Sequence, residues 1–371
     1  MLRRQQLAGT RLLRACSLLL RQPVAGKMAL SRAKLLDVAG TDDRLPEWIR
    51  EEAEKRGFVV SDAAINRLIR LSQKPAIQYL PPPEDLDVIL CHYNPAGWKR
   101  TPKLLHEVCQ HLVSAGAEPL VLQVVRPPAE PAALPHGVRS VMYESQSVLF
   151  HKENLWNLAA GMTTRPKLLF LDGDVVFSRR DIFRAVGDAL DSCDVIQPFS
   201  SAVWTSQDGG VDLVREPSVL ALENGEQPLL GRYHPGFAWA MTRRFFGQCR
   251  GFYERHPLGG GDAAFVFSMT PGVPRLPKTD SHAFAETQSY KDYRSRMLSL
   301  KPRIGHVEGS VYHLWHGTRE NRRYEERYAF MPPFVNGEYP MERRDDGLLE
   351  WTDQRASEKA LAYFLCRMED G

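Results

Sequence analysis

Two acidic residues, Asp172 and Asp174, follow an apolar run near the middle of the sequence. The run, Lys167 to Leu171, has the length and composition of a buried strand. The carboxyl end of such a strand is where an α/β sheet presents ligands, and oxygen ligands suit Mg²⁺ or Mn²⁺. Because these ions often complete their coordination with substrate phosphates, the pair predicts a metal site for chemistry at a phosphate ester. An exposed Asp-Gly turn is the alternative that so short a motif leaves open.

A third carboxylate stands at a glycine-rich turn. Gly259, Gly260 and Gly261 precede Asp262, and an apolar stretch that reads as a helix follows. Glycines let the backbone approach a ligand closely, which would place Asp262 at a cleft, where it could act as a general base. The other interpretation is that Asp262 only caps the helix.

Two histidines, His313 and His316, end a further apolar segment, and Arg322 and Arg323 follow them. A histidine at a strand end can complete the coordination of a metal that two carboxylates already hold. Alternation along the segment does not tell which of the two histidines does so. The arginines can neutralise a leaving diphosphate.

The segment before the acidic strand carries Lys152 and Asn154. Lys152 could contact a phosphate and Asn154 a nucleotide, although a solvated helix face explains the same pattern equally well. Further along, Trp239 could stack on a sugar ring or belong to the core.

The residues around these candidates alternate between strand-like and helix-like segments. Such alternation predicts an α/β fold whose mostly parallel sheet is covered by helices on both faces. From Tyr233 onward the sequence reads as loop-rich. The expected elements are a strand from Asp87, a helix over Pro102 to Ser114, a strand over Pro119 to Val125, a helix over Phe150 to Gly161, the strand Lys167 to Leu171, a helix over Arg180 to Leu190 and a strand over Asp194 to Pro198.

Composition bounds the class of protein. The chain has 371 residues, of which 43% are hydrophobic and 25% charged, which is enough for a full core. Eight of the 48 basic residues fall within residues 1–36, so 40 basic and 45 acidic residues remain in the rest. That balance argues against nucleic-acid binding through bulk charge. The six cysteines are scattered without a close pair and indicate neither a zinc site nor a disulfide framework.

Residues 1–36 are rich in Arg and Leu and contain no acidic residue. This leader resembles an organellar transit peptide, which predicts a mitochondrial or other organellar location; a basic tail on a cytosolic protein is the alternative. The longest apolar run in the leader, Leu18 to Leu20, is far too short to cross a bilayer, which takes about 20 residues.

The remaining organisation is read from prolines and periodicity. Residues 37–85 predict a helical extension, with helices over Leu45 to Lys55 and Ser61 to Ser72, and a proline-rich connector. Residues 86–330 predict the catalytic domain, with halves 86–200 and 201–330, and residues 331–371 a C-terminal tail with a helix.

Together these residues resemble the GT-A fold glycosyltransferases, the nucleotide-diphosphosugar transferases, over about residues 86–330. The resemblance implies a Rossmann-like half in which Asp172 and Asp174 bind Mn²⁺ or Mg²⁺ and the donor diphosphate. It implies that Asp262 is the base of an inverting transfer to an acceptor hydroxyl, although Gly261 stands where the family has Glu. A UDP-sugar is the expected donor, His313 or His316 would join the metal, and the acceptor is left open.

Two other classes fit part of the pattern. Asp172 and Asp174 also look like the opening signature of haloacid-dehalogenase-type phosphatases, in which Asp172 would be the nucleophile. That motif should open the catalytic domain, whereas a β-α-β unit precedes it here, and Val266 stands where a second Asp is expected. A non-catalytic nucleotide-sugar-binding relative would have lost a metal or base residue, and none is evidently missing.

Overall fold

A computed structural model describes residues 79–272, 284–323, 330 and 335–370. The leader, both helices predicted within residues 37–78 and the first part of the connector lie outside these residues. Within the described part of the chain, no helix is both long and apolar enough to cross a membrane.

The described residues form fourteen strands and eight helices. The strands are β1 Leu86–Tyr93, β2 Leu120–Val125, β3 Arg139–Glu144, β4 Lys167–Leu171, β5 Val175–Phe177, β6 Val195–Gln197, β7 Ser201–Thr205, β8 Val211–Pro217, β9 Tyr233–His234, β10 Ala238–Thr242, β11 Ile304–His306, β12 Ser310–His313, β13 Met341–Arg343 and β14 Leu349–Trp351. The helices are α1 Arg100–Ser114, α2 Lys152–Gly161, α3 Ile182–Ser192, α4 Ser218–Glu223, α5 Arg243–Cys249, α6 Gly261–Met269, α7 Gln288–Leu300 and α8 Gln354–Cys366.

A seven-stranded sheet in the order β11-β6-β10-β4-β1-β2-β3 forms the centre of the fold. Its strands are parallel except β10, which runs antiparallel to both β4 and β6. Successive residues of a strand face opposite sides of the sheet. Val88 packs with α1 and α3 on one side, and Ile89 packs with α2 and α6 on the other. The predicted α/β class, with a mostly parallel sheet covered on both faces, is confirmed.

A second sheet of five strands, in the order β5-β12-β7-β8-β9, adjoins the first. Only Asp172, Gly173 and Asp174 separate β4 of the first sheet from β5 of the second. The chain therefore crosses from one sheet to the other within the acidic motif.

The elements predicted before Pro198 are confirmed to within a few residues at their ends. Two strands were not foreseen: β3, most of whose side chains are exposed or half-buried, and β5, which has only three residues. The prediction of a loop-rich second half is wrong, since four helices, α5 to α8, and five short strands, β10 to β14, follow β9 among the described residues. Trp239 is fully buried on β10 with its ring edge-on to Phe265 at 4.8 Å, so it belongs to the core.

Candidate functional site

The backbone around the acidic motif is fixed on both sides. The amide of Asp172 donates to the carbonyl of Phe237 at 2.9 Å, and the carbonyl of Asp174 accepts from the amide of Leu314 at 2.8 Å. Val175 lies opposite His313 in the antiparallel pair of β5 and β12. This register brings Asp174 against the end of β12, which the sequence could not show.

Asp174, His313 and His316 form a compact cluster at this point. One ligand atom from each of the three lies within 4.8 Å of the others. Oδ2 of Asp174 is 2.9 Å from Nε2 of His316 and 3.5 Å from Nε2 of His313. Oδ1 of Asp174 is buried without a hydrogen-bond partner among the described residues. One carboxylate and two imidazoles around a common point fit a divalent ion. Both candidate histidines therefore lie at the predicted metal site.

Metal binding needs neutral imidazoles and an ionised carboxylate. Burial opposes the charge of His316, but hydrogen bonds to Asp174 and Glu369 outweigh it and raise the pKa of His316, so a metal would have to displace a proton from that ring. Burial lowers the pKa of His313 well below its usual value. Burial opposes ionisation of Asp174, but His313 and His316 outweigh it and hold the pKa of Asp174 below its ordinary range.

A residue that the sequence analysis missed, Glu369, supports this cluster. Its carboxylate, only 1% exposed, contacts Nδ1 of His316 and is paired with Arg367. Burial disfavours the charge of Glu369, yet Arg367 and His316 lower its pKa to about 2. A carboxylate that holds the proton of Nδ1 directs Nε2 of the same ring toward a metal. No motif marks Glu369, because it lies 53 positions after His316 in sequence.

A second cluster forms around the ammonium of Lys152. Its Nζ lies 2.6 Å from Oδ1 of Asp172, 2.8 Å from Oδ2 of Asp262 and 4.5 Å from the ring centre of Trp156. Burial disfavours the ammonium, but Asp172 and Asp262 outweigh it and raise the pKa of Lys152. Of the two acids in the motif, Asp172 therefore faces Lys152, and Asp174 faces the two histidines.

Asp262 is the second residue of α6 and does not cap it. The N-cap position is held by Gly260 with φ +109°, and no side chain makes a capping hydrogen bond there. A Cβ placed on Gly236 would lie 2.8 Å from Oδ2 of Asp262, so the backbone of residue 236 passes directly beside the carboxylate. Asp262 therefore does not cap the helix, and the backbone of Gly236 lies against its carboxylate.

The remaining predicted site residues are divided between two places. Nη1 of Arg322 lies 3.2 Å from Nε2 of His313, so Arg322 adjoins the cluster of Asp174, His313 and His316. Arg323 follows it with a left-handed backbone, φ +48°, and is half-buried. Asn154 lies elsewhere: its amide donates to Glu254 at 2.9 Å and accepts from the amide of Leu349 at 3.0 Å. Asn154 thus joins α2 to the β13–β14 hairpin.

Comparisons with known proteins give a distant likeness in fold. No protein-family model matches the sequence, and a search of curated proteins finds no match. Among solved structures, the chain is similar to the mannosyltransferase PcManGT from Pyrobaculum calidifontis in complex with GDP-Man and Mn²⁺, at 14% identity and a TM-score of 0.35, covering 78% of this chain and 70% of that one.

Two further solved structures have a similarly distant likeness to this chain. Glucosyl-3-phosphoglycerate synthase from Mycobacterium tuberculosis, in complex with Mn²⁺, UDP and phosphoglyceric acid, matches at 13% identity and a TM-score of 0.35, covering 66% of this chain and 76% of that one. TarS from S. aureus, in complex with UDP-GlcNAc, matches at 12% identity and a TM-score of 0.34, covering 63% and 59%. Each of these three structures is a likeness at 14% identity or less.

Glu369→Gln is expected to weaken Mn²⁺ binding by about 10- to 100-fold, because the neutral amide no longer fixes the orientation and tautomer of His316. Isothermal titration with Mn²⁺ measures this directly. Asp370→Asn is the matched control, since Asp370 accepts from the amides of Lys99 and Arg100 and holds the same segment without a recorded contact to His316. Equal losses in the two variants would show that Glu369 only anchors the segment.

Proposed function

We propose that this protein is a metal-dependent glycosyltransferase that moves a sugar from a nucleotide-diphosphate donor to an acceptor hydroxyl. The observation that carries the proposal is the adjacency of two clusters at the carboxyl end of β4. Asp174 contributes to a metal-binding cluster, and Asp172, two residues earlier, is connected through Lys152 to a carboxylate on α6. This adjacency supports a site for an anionic leaving group next to a base for an acceptor.

The metal-binding cluster supplies the donor side. A divalent ion held by Asp174, His313 and His316 would offset the charge that develops on the leaving diphosphate. Arg322 adjoins the same cluster, and its guanidinium suits a phosphate oxygen. These charges are fixed by the fold before the reaction, which is the arrangement in which electrostatic stabilisation is most effective.

Asp262 supplies the acceptor side. As the base it would take the proton of the acceptor hydroxyl while that oxygen attacks the anomeric carbon and the nucleoside diphosphate leaves. A single displacement of this kind inverts the configuration of the sugar. Because Lys152 bonds to both Asp262 and Asp172, the proposed base lies next to the donor side before either substrate binds.

The phosphatase alternative fits the geometry less well. Three strands, β1, β2 and β3, precede the motif within the same sheet, so the acidic strand does not open the domain. Asp174 is surrounded by two histidines, whereas an acid/base partner for a nucleophilic Asp172 would have to exchange protons freely with a leaving group.

Mn²⁺ is expected to strengthen the binding of UDP or GDP to the wild-type protein, and Asp174→Asn is expected to abolish that increase. The reason is that the substitution removes the only carboxylate of the cluster. Titration of each nucleotide with and without Mn²⁺ measures the effect. Asp188→Asn is the control, because Asp188 is an exposed residue whose recorded ion pair is with Arg184.

Two outcomes would contradict the donor assignment. One is nucleotide binding that neither Mn²⁺ nor Asp174→Asn alters. The other is hydrolysis of a simple phosphate ester that Asp172→Asn eliminates, which would support the phosphatase instead.

Asp262→Asn is expected to slow metal-dependent hydrolysis of a nucleotide sugar, with water as the acceptor, by about 10²- to 10⁴-fold. The amide cannot accept the proton, while the donor side is untouched, so UDP or GDP should still bind. The measurement is release of nucleoside diphosphate from a panel of nucleotide sugars. Loss of nucleotide binding together with activity would instead make Asp262 a donor ligand or a structural residue.

A further inference from the structure

The carboxyl group of Glu153 occupies the space beside Gly261. A Cβ placed on Gly261 would lie 2.1 Å from Cδ of Glu153 and 2.2 Å from its Oε1, so no other residue fits at position 261 while Glu153 keeps its position. Glu153 is only 1% exposed. A side chain from α2 therefore fills the volume that a side chain at the start of α6 would otherwise take.

Glu153 has a charged neighbourhood but no hydrogen-bond partner for either carboxyl oxygen among the described residues. Four titratable groups surround it: Lys152 on the same helix, Asp262 on α6, Asp172 after β4 and Cys91 on β1. The buried Glu153 and the half-buried Asp172 and Asp262 thus share one ammonium, and that ammonium is already bound to Asp172 and Asp262. A third charge in this place would be unpaired, which is the costliest state for a buried carboxylate.

Burial raises the pKa of Glu153 to about 8, and the charge of Asp262 adds to the rise. At neutral pH the side chain is therefore a neutral carboxylic acid. The packing and the charges around Glu153 lead to the same conclusion, because a carboxyl group with no counter-ion is accommodated in this space only when it carries no charge.

We propose that Glu153 is a positioning residue for Asp262: as a neutral acid it fills the space beside Gly261 and leaves the ammonium of Lys152 to Asp172 and Asp262. This rests on the proposed function only in assigning Asp262 as the base. When Glu153 ionises, its charge competes for Lys152 and repels Asp262, so the geometry of the base depends on the proton of Glu153.

The steric part is tested by a double-mutant cycle on thermal unfolding, which needs no substrate. Gly261→Ala alone is expected to lower the melting temperature by several degrees, and much less in a Glu153→Ala background, because the added methyl then enters vacated space. The backbone of Gly261 is not in the left-handed region, so alanine itself introduces no strain there. Equal effects of Gly261→Ala in both backgrounds would overturn the assignment of this space to Glu153.

The proton on Glu153 is tested by comparing Glu153→Gln with wild type across pH. Below the ordinary pKa of a glutamate both the folded and unfolded chains hold the proton, so the two proteins should differ by a constant amount. Between that value and about 8 the folded wild type holds a proton that the unfolded chain has lost. Wild-type stability should therefore fall with rising pH relative to Glu153→Gln. Parallel curves would overturn the protonated state, and Glu107→Gln, an exposed change on α1, controls for general charge effects.

The positioning role is tested on nucleotide-sugar hydrolysis. Glu153→Ala is expected to lower the rate by up to about 100-fold, since a displaced base reacts poorly, and Glu153→Gln should recover part of that loss. The fall in wild-type rate above about pH 8 should move to higher pH in Glu153→Gln. If Glu153→Gln instead keeps the wild-type profile, the residue only fills space. If neither the wild type nor any variant hydrolyses a nucleotide sugar, the proposed function fails. The two stability experiments still decide the packing and the protonation of Glu153.

Discussion

One buried ammonium, that of Lys152, holds the candidate site together. It lies within 2.8 Å of carboxylates from two separate elements, the end of β4 and the start of α6, and the side chain is only 8% exposed. Burial raises the pKa of Asp172 to about 7 even with Lys152 beside it, and without that cation Asp172 and Asp262 would be two carboxylates close together in a poorly solvated space. A base needs to be ionised and a metal-binding region needs its acids in place, so both properties depend on this lysine. The ring of Trp156 lies beside the ammonium and limits its movement.

The crossing between the two sheets divides the acidic motif between two clusters. Asp172 still belongs to the end of the first sheet, and Asp174 already adjoins the second, so the two side chains enter different clusters although only Gly173 separates them. That glycine is tightly packed: a Cβ there would lie 3.0 Å from Cδ1 of Leu105. Phe237 completes the arrangement with an unusual φ of +78°, a carbonyl that accepts from Asp172 and a ring stacked on His313 at 5.0 Å. Strained backbone at such a place is typical of a site whose geometry the surrounding fold imposes.

The sequence predicted those residues of the candidate site that follow a strand end or a glycine-rich turn. Asp174, Asp262 and both histidines follow such signals, and the first half of the sheet could be read from its apolar runs. The division of Asp172 and Asp174 between two clusters could not be predicted, because it depends on strand register. Whether Asp172 faces a metal or Lys152 is decided by the pairing of β5 with β12, which periodicity does not specify. Asn154 differs from its prediction in the opposite way. An amide side chain suits a ligand contact, but here its oxygen accepts from the backbone amide of Leu349.

Glu369 shows that short sequence motifs do not account for the whole candidate site. The segment 367–370 packs against the turn that carries His316: the amide of Met368 donates to the carbonyl of Asn321, and Gly317, with φ +104°, leaves no room for a Cβ beside the carbonyl of Met368. Asp370 then binds the start of α1, more than 270 positions earlier in the chain. Contacts of such sequence separation form only when the intervening chain has folded, since closing a long loop costs entropy that local contacts cannot offset. The orientation of His316 is therefore a property of the whole fold, and a metal bound there would stabilise the closure between the ends of the described chain as much as the local turn.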